Sequence, residues 1–503
     1  MSSDEEQAGL RHRDLDTILS DEMDEGTPLL SQVEDSLHEV HEKESRLPIA
    51  QLVTVYLIKL TIPVVSFQAQ PYINKMVSEM DLPTGRPVGY YTGLLGFAHS
   101  LGQILTVFPW GRLSDWFGRK KIIAYGIFSL TLVTIVFGLS KTFVKAALIR
   151  FLIGVFSGFI GAIHSVVGEL SDGNNQSTAF PLYDSISALG FIVGPLLGGA
   201  FADPATELPR WFNTPFWRKY PYALPGFVSG LLGIGSFLLT VFYLKETHPG
   251  LARKTRAASR ASSRHRIVSP SPGPSRAITQ EAPPSIPSLL SLPEIRAICV
   301  SQWVIGFLAG SFNSVFVLLA YTPIEQGGLG MPPLRIAFAL SIMGFVSIGL
   351  KASLPIFLRR YDTLSVYRFT VGMNPVTFAL LPVLNIIAQA TGPDRSAAGE
   401  ALLWVAISIV LFMSRINTLA FGIIMILTKD HTPTSTALGT TNSISELAQM
   451  IGGSIGVPVV SSLFSWSTTT AGSILGGHLW IVVYVVIAFA GEFSARRIAK
   501  YRH

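Results

Sequence analysis

Twelve apolar stretches of membrane-crossing length run through this chain between residues 50 and 494, and they leave little choice of fold. Crossing ~30 Å of hydrocarbon takes ~20 helical residues. The stretches fall at 50–72, 88–109, 121–140, 145–168, 179–202 and 223–244, then at 298–321, 335–358, 366–390, 401–427, 436–463 and 473–494. They are apolar almost throughout, whereas strands of a membrane barrel alternate apolar and polar residues over ~10 positions. A helix pairs its own backbone groups where lipid offers none, so an all-α membrane protein with twelve transmembrane helices is expected. Composition agrees. Of 503 residues, 49% are hydrophobic and 14% charged, against about 25% charged in soluble domains. Such a chain excludes a disordered protein, a disulfide scaffold and a nucleic-acid binder. With one cysteine, Cys299, it forms no intrachain disulfide.

The polar segments divide the chain into domains. Residues 1–48 hold fourteen acids against four bases, a net −10 that leaves +16 on the remainder. This acidic tail is expected to be disordered and cytosolic. It has no basic, then apolar, signal-peptide pattern. Residues 49–244 would form one six-helix bundle and 298–494 a second. Between them, 245–297 is a basic Pro/Ser-rich linker containing Ser-Pro-Ser-Pro-Gly-Pro at 269–274. A basic tail, 495–503, closes the chain. Basic residues crowd the connection after the second span (Arg112, Arg119, Lys120, Lys121), the one after the eighth (Arg359, Arg360, Arg368) and the C-terminus. Positive loops stay inside, so both termini and the linker should face the cytosol. Lys141, Lys145, Arg218 and Lys219 on the other side are the counter-evidence. The one sequon, Asn175-Gln-Ser177, falls on the cytosolic side and should carry no glycan.

The halves are related. Residues 172–198 match 430–456 at ten of 27 positions without a gap, including Ser185-Ile-Ser187 with Ser443-Ile-Ser445, and Gly194 and Gly198 with Gly452 and Gly456. Span five thus corresponds to span eleven, and two pseudo-symmetric six-helix bundles follow. Parallel repeats of this kind place a binding site near the midplane, between the halves.

Two motifs lie on this frame. Gly111-Arg-Leu-Ser-Asp115-Trp-Phe-Gly118-Arg119-Lys120 follows span two. Positive-inside bias explains its cations, but not an acid and two glycines at this spacing. It resembles the loop motif of the major facilitator superfamily, G-x-x-x-D-x-x-G-R-[KR]. Gly190-Phe-Ile-Val-Gly194-Pro195-Leu-Leu-Gly198-Gly199 in span five is similar to the signature of that superfamily's antiporter branches. Physically it is a small-residue packing face with a proline kink. Arg150-Phe-Leu-Ile-Gly154 is similar to R-x-x-Q-G, with Ile153 in place of Gln. Phe67-Gln-Ala-Gln70-Pro-Tyr-Ile73 and Leu244-Lys-Glu-Thr247 also fit the fungal and plant drug:proton antiporter-like group. The resemblance implies the major facilitator fold, proton coupling through Arg150, and exchange of a small solute for protons.

Polar residues within spans are costly and point to function. Stripes at helical spacing run along Asn442, Glu446, Gln449 and Gly453, along Gln302, Gly306, Ala309 and Asn313, and along Lys59, Pro63, Ser66 and Gln70. Gln70, His99, Gln302, Asn313, Asn442 and Gln449 are the candidate cavity residues. Interhelical hydrogen bonding that only joins helices is the competing account of each. Arg150, Glu169 and Glu446 are the candidates for proton coupling. Glu446 is an acid deep in span eleven, suited either to carry a proton or to pair with Lys351. Lys59 and Arg150 against Glu446 suggest an amphipathic or zwitterionic ligand. His164 could titrate or merely pack. Glu25-Gly-Thr-Pro-Leu29-Leu30 fits an acidic dileucine signal for a sorting adaptor. No nucleophile triad, no phosphate-cradling loop and no His/Cys metal spacing occurs, so neither an enzyme nor a cofactor is expected.

The expectation is a monomeric secondary transporter in the plasma or vacuolar membrane, exporting or sequestering a small solute with protons. The alternatives are a proton-coupled importer or uniporter, and a non-transporting sensor on the same fold.

Overall fold

The computed structural model describes residues 49–82, 86–170, 176–208, 210–247, 286–392, 396–433, 438–469 and 478–498. The acidic tail with its dileucine, Asn175, most of the linker and the last five residues lie outside the described residues. Each apolar stretch forms a helical rod. The first six are α1 (Ile49–Phe67), α2 (Val88–Phe117), α3 (Arg119–Phe137), α4 (Phe143–Ser157 continued by Ile160–Leu170), α5 (Gln176–Phe201) and α6 (Ala223–Phe242). The second six are α7 (Pro293–Tyr321), α8 (Pro333–Arg360), α9 (Thr363–Gly372 and Asn374–Thr391), α10 (Ala397–Asp430), α11 (Leu438–Thr469) and α12 (Leu479–Ile498). Among the described residues, ten rods are long and apolar enough to cross a membrane. The other two are α2, which carries His99, Gln103, Arg112 and Asp115 along its length, and α5, which has a shorter apolar run, Ile186–Phe201.

Several rods outrun their apolar stretches because capping residues extend them. Pro293 sits in the first turn of α7, where its missing N–H costs nothing, and Glu294 beside it faces the positive helix end. Asp362 accepts from the Ser365 amide at the start of α9, and the Ser396 hydroxyl from the Gly399 amide at the start of α10. The first stretch is broken instead. Its chain leaves helix after Phe67 and resumes as the short helix Ile73–Ser78.

Buried apolar side chains separate by half. One core runs from Leu52 to Leu244, and the others use only residues from Leu289 onward. Within each half the repeat shows itself as matched glycine contacts. On α5, a Cβ at Gly190 would lie 2.6 Å from the Leu60 oxygen, one at Gly194 3.0 Å from the Val64 Cα, and one at Gly198 would overlap the Gln68 carbonyl. On α11, a Cβ at Gly452 would overlap the Trp303 carbonyl, and one at Gly456 would lie 2.7 Å from the Ser311 hydroxyl. So α5 lies on α1 as α11 lies on α7, at the positions that the sequence repeat pairs.

The halves meet along α2–α11 and α5–α8. Chain direction alternates, so one end of the molecule (the linker end) carries residues 49, 117–119, 242–247 and 358–363, and the far end carries 67–88, 201–223 and 321–333. Every cross-bundle contact named here belongs to the far half. Gly93 lets α2 come within 3.1 Å of the Pro458 Cα, measured from an ideal Cβ, and Gly96 packs on Val457. Gly199 meets the Pro333 oxygen at 2.9 Å by the same measure. Asn74 donates to the Val317 carbonyl at 3.3 Å, and the Ser78 and Tyr321 hydroxyls pair at 2.8 Å. Toward the linker end, Leu189 on α5, Lys351 on α8 and Glu446 on α11 are exposed. Among the described residues the seam is therefore closed at the far end and parted toward the linker.

Candidate functional site

A cavity of about 440 Å³ lies between the halves at mid-height, just below the closed seam. That volume suits a drug-sized or metabolite-sized molecule. From the first half it takes Ser66, Phe67 and Gln70 of the α1 region, His99 and Gln103 of α2, and Arg150 of α4. From the second half it takes Ala309 and Asn313 of α7 and Gln449, Met450 and Gly453 of α11. Glycines let its walls close. A Cβ at Gly154 would overlap the His99 carbonyl, and one at Gly306 the Gln449 carbonyl. The polar groups are thereby set on backbone-to-backbone helix contacts, which side-chain rotation cannot loosen.

Four of the six cavity candidates line this space: Gln70, His99, Asn313 and Gln449. Gln302 and Asn442 do not. Gln302 lies deeper toward the linker end of α7, buried, with its Oε1 unpartnered among the described residues. Asn442 is half-buried near the start of α11. Arg150 lines the cavity at 7% exposure, its guanidinium 4.7 Å over the Phe137 ring and its Nε without a hydrogen-bond partner. Lys59, expected to add a second cation here, points away. Its Nζ lies 3.5 Å from His164 Nε2, because Pro63 and Lys59 lie on the part of α1 covered by α5 and α4. Glu446 continues the Gln449 face one turn toward the linker end and is exposed. Among the described residues it forms no ion pair with Lys351.

Sequence reasoning missed Arg415. It lies within α10, its guanidinium donating to the Asn313 Oδ1 at 3.2 Å and to the Ser414 hydroxyl at 3.2 Å. The signal was present: one cation in the middle of the apolar run 401–427, which is rare unless it faces a bundle interior. A second hollow of about 480 Å³ opens on α8 and α10, lined by Ile342, Trp404, Val405, Ile409 and Phe412 with Ser408. It can hold an apolar chain but has too few polar groups to orient one.

The loop motif forms a separate network at the linker end. Gly118 takes φ +98°, a conformation open to glycine, and so turns the chain from α2 into α3. Arg119 then pairs with Asp115 at 2.6 Å and with Glu169 at 3.2 Å. Glu246, just beyond α6, accepts the Arg119 and Lys120 amides at 2.8 and 3.3 Å, capping α3, and the Thr247 hydroxyl donates to Glu169 at 2.5 Å. The Leu244–Thr247 segment is thus the strap that ties the first bundle's linker end together. Glu169 belongs to this network and not to the cavity. Gly111 is not needed for a close approach: a Cβ there would meet nothing within 4 Å, although its neighbour Trp110 packs on α4 and donates to the Val155 carbonyl. Removing the cap by Glu246→Ala is expected to cost about 1–2 kcal/mol, seen as a lowered melting temperature of the detergent-purified chain. Glu246→Gln, which keeps one acceptor, should lose less.

Comparison with known proteins points the same way. A family model described as Major Facilitator Superfamily matches residues 89–457. The chain is 33% identical over 514 residues to the major facilitator-type transporter psiT2 of Psilocybe cyanescens, covering 95% of this chain and 97% of that one. It is 22% identical to the major facilitator superfamily multidrug transporter mfsB of Aspergillus fumigatus, covering 86% and 81%. Among solved structures, a bacterial homolog of the human lysosomal transporter Spinster, inward-facing and unoccupied, superposes with a TM-score of 0.60 at 14% identity, covering 92% of this chain and 99% of that one.

Proposed function

This chain belongs to the major facilitator superfamily, and on that premise we propose that it exports or sequesters a small organic solute by proton-coupled alternating access. That it is a multi-pass membrane transporter of a small solute, and not an enzyme, follows from the family and its transporter relatives. The direction, the coupling and the membrane are our reading.

The observation that carries it is the cavity. Both halves line it, and it is sealed at one end by close glycine contacts across the seam. Two rigid bundles that close one end of a shared cavity while the other end parts are what alternating access requires. The basic loops at the linker end support placing that end in the cytosol, so this conformation would load from the cytosol. Export is supported by the multidrug relative and by the span-five motif. The destination is the plasma membrane or a vacuole. An adaptor reading Glu25, Leu29 and Leu30 would favour the vacuole, and replacing both leucines by alanine should then redirect a fluorescent fusion to the cell surface. The chain works as a monomer, since each copy holds a complete cavity.

Glu446 is the proposed proton carrier, with Arg150 as the cavity cation it works against. It sits one turn from the cavity residue Gln449 on the same stripe of α11, exposed on the parted side. Glu446→Gln is expected to reduce pH-gradient-driven uptake into proteoliposomes to background while solute exchange at equal pH continues. Gradient-driven uptake that persists in this variant would remove the assignment.

A further inference from the structure

Two arginines in the middle of the membrane-spanning region have neutral partners. Arg150, on the α4 wall, lies over the Phe137 ring, and its Nε has no partner. Arg415, on the opposite half, donates to Asn313 and Ser414, both uncharged. Among the described residues no carboxylate lies within salt-bridge distance of either guanidinium. The two acids expected to take part in coupling are placed elsewhere. Glu169 is tied to Arg119, and Glu446 stands exposed toward the linker end. His99, the other titratable side chain on the cavity wall, adds no negative charge, and its Nδ1 is unpartnered. Lys59 is held against His164.

Burying a cation without a counter-charge is costly, and arginine is the side chain least able to escape by losing its proton. A helical protein could avoid the cost with an acid on α4, α7 or α10, and none of the cavity-lining residues is one. Arg150 lines the cavity and Arg415 stands behind its wall, bonded to the lining residue Asn313; the same cavity offers amide donors from Gln70 and Gln449 and apolar surface from Phe67, Val317, Met450 and Val457. The missing counter-charge is the ligand's. We propose that the solute is an organic anion: an oxyanion group, whether carboxylate, phosphate ester or sulfonate, seated against Arg150 and within the field of Arg415, with an apolar body against Phe67 and Met450. Of the amphipathic or zwitterionic ligand expected from sequence, this keeps the amphipathic form and sets aside the zwitterion, which needed Lys59 and Glu446 inside the cavity. It rests on the transport reading, deepening it to a substrate class.

The test uses one ring system with its charge varied: 1-naphthaleneacetate, 1-naphthyl phosphate, 1-naphthaleneacetamide and 1-naphthylmethylamine. Binding is read as the melting shift of the full chain in detergent, so no transport is needed. The acid and the phosphate ester should stabilise the protein, with the neutral amide and the amine at least about tenfold weaker, the factor expected for losing a hydrogen bond between charged groups. Arg150→Gln should abolish the preference for anions, Arg415→Gln should weaken it, and Arg150→Lys should keep part of it. The unliganded Arg150→Gln protein should melt no lower than wild type, since it loses an uncompensated charge, whereas a purely structural arginine would leave it destabilised. The proposal is overturned if the amine or amide binds as well as the acid, if no member of the series binds, or if anion preference survives in both Gln variants. Relative strength of the acid and the phosphate separates the oxyanion classes. Anion binding without flux in proteoliposomes would keep the substrate class and remove the transport reading. Flux of the amine alone would do the reverse.

Discussion

Gly198→Leu should abolish recovery of folded protein, while Gly235→Leu in α6 should leave it unchanged. The two substitutions add the same side chain to a helical glycine in an apolar rod. At Gly235 a new Cβ would meet nothing within 4 Å. At Gly198 it would overlap the Gln68 carbonyl and lie 3.2 Å from the Gln68 Cα. The obstacle is backbone, so no rotamer change relieves it, and α1 and α5 must separate. Overpacking a well-filled core costs typically about 1–3 kcal/mol, and more where backbone must move. Here the loss spreads, because the same interface holds Gly190 and Gly194 against Leu60 and Val64. Lipid offers no hydrophobic drive to press separated helices back together. Size-exclusion profiles of detergent extracts check the expectation: a monodisperse peak for Gly235→Leu and none for Gly198→Leu. A folded Gly198→Leu protein would mean that the helix pair adjusts more than this contact allows.

That contact also shows what the amino-acid order made legible. The ten-residue match between 172–198 and 430–456 pairs Gly194 with Gly452 and Gly198 with Gly456, and in space both pairs hold an inner helix against α5 or α11. Packing of this kind needs small residues at a fixed spacing, so it leaves a readable pattern. The cavity was legible where a polar stripe coincides with the helix period, as at Gly306, Ala309 and Asn313. It was less so at the ends of the same stripes. Lys59 shares a face with Ser66 and Gln70, but it sits two turns nearer the linker end, where α5 and α4 cover α1 and its amine meets His164. Arg415 was overlooked for the opposite reason. It is flanked by apolar residues at i−4, i−3 and i+4, so no polar stripe marks it, and its partner Asn313 is 102 positions away. The tie between Glu246 and the amides of α3 was equally hidden, since a carboxylate capping a distant helix leaves no local signature.

The second large effect concerns which end is open. Gly93→Leu on α2 should drive the molecule out of the conformation described here without unfolding it. An ideal Cβ at Gly93 already lies 2.8 Å from the Ser461 Cβ and 3.1 Å from the Pro458 Cα across the seam. Those neighbours belong to the other bundle, so the clash exists only while the far end is closed. Rocking the halves apart there removes it. A wedge costing the closed state about 1–3 kcal/mol shifts a two-state equilibrium by roughly 5- to 150-fold. Cys299 is replaced by Ser, and Thr92→Cys places a thiol on the cavity wall near that end. Labelling by a membrane-impermeant maleimide added from the far side should then accelerate by at least about fivefold in the Gly93→Leu background, with the melting temperature nearly kept. Gly199→Leu wedges the independent α5–α8 contact against Pro333 and Leu334 and should act in the same direction. Solute exchange should fall in both, because a carrier held open at one end cannot reload from the other. Unchanged labelling from the far side, with folding intact, would mean that the seam is a fixed joint and not a moving one.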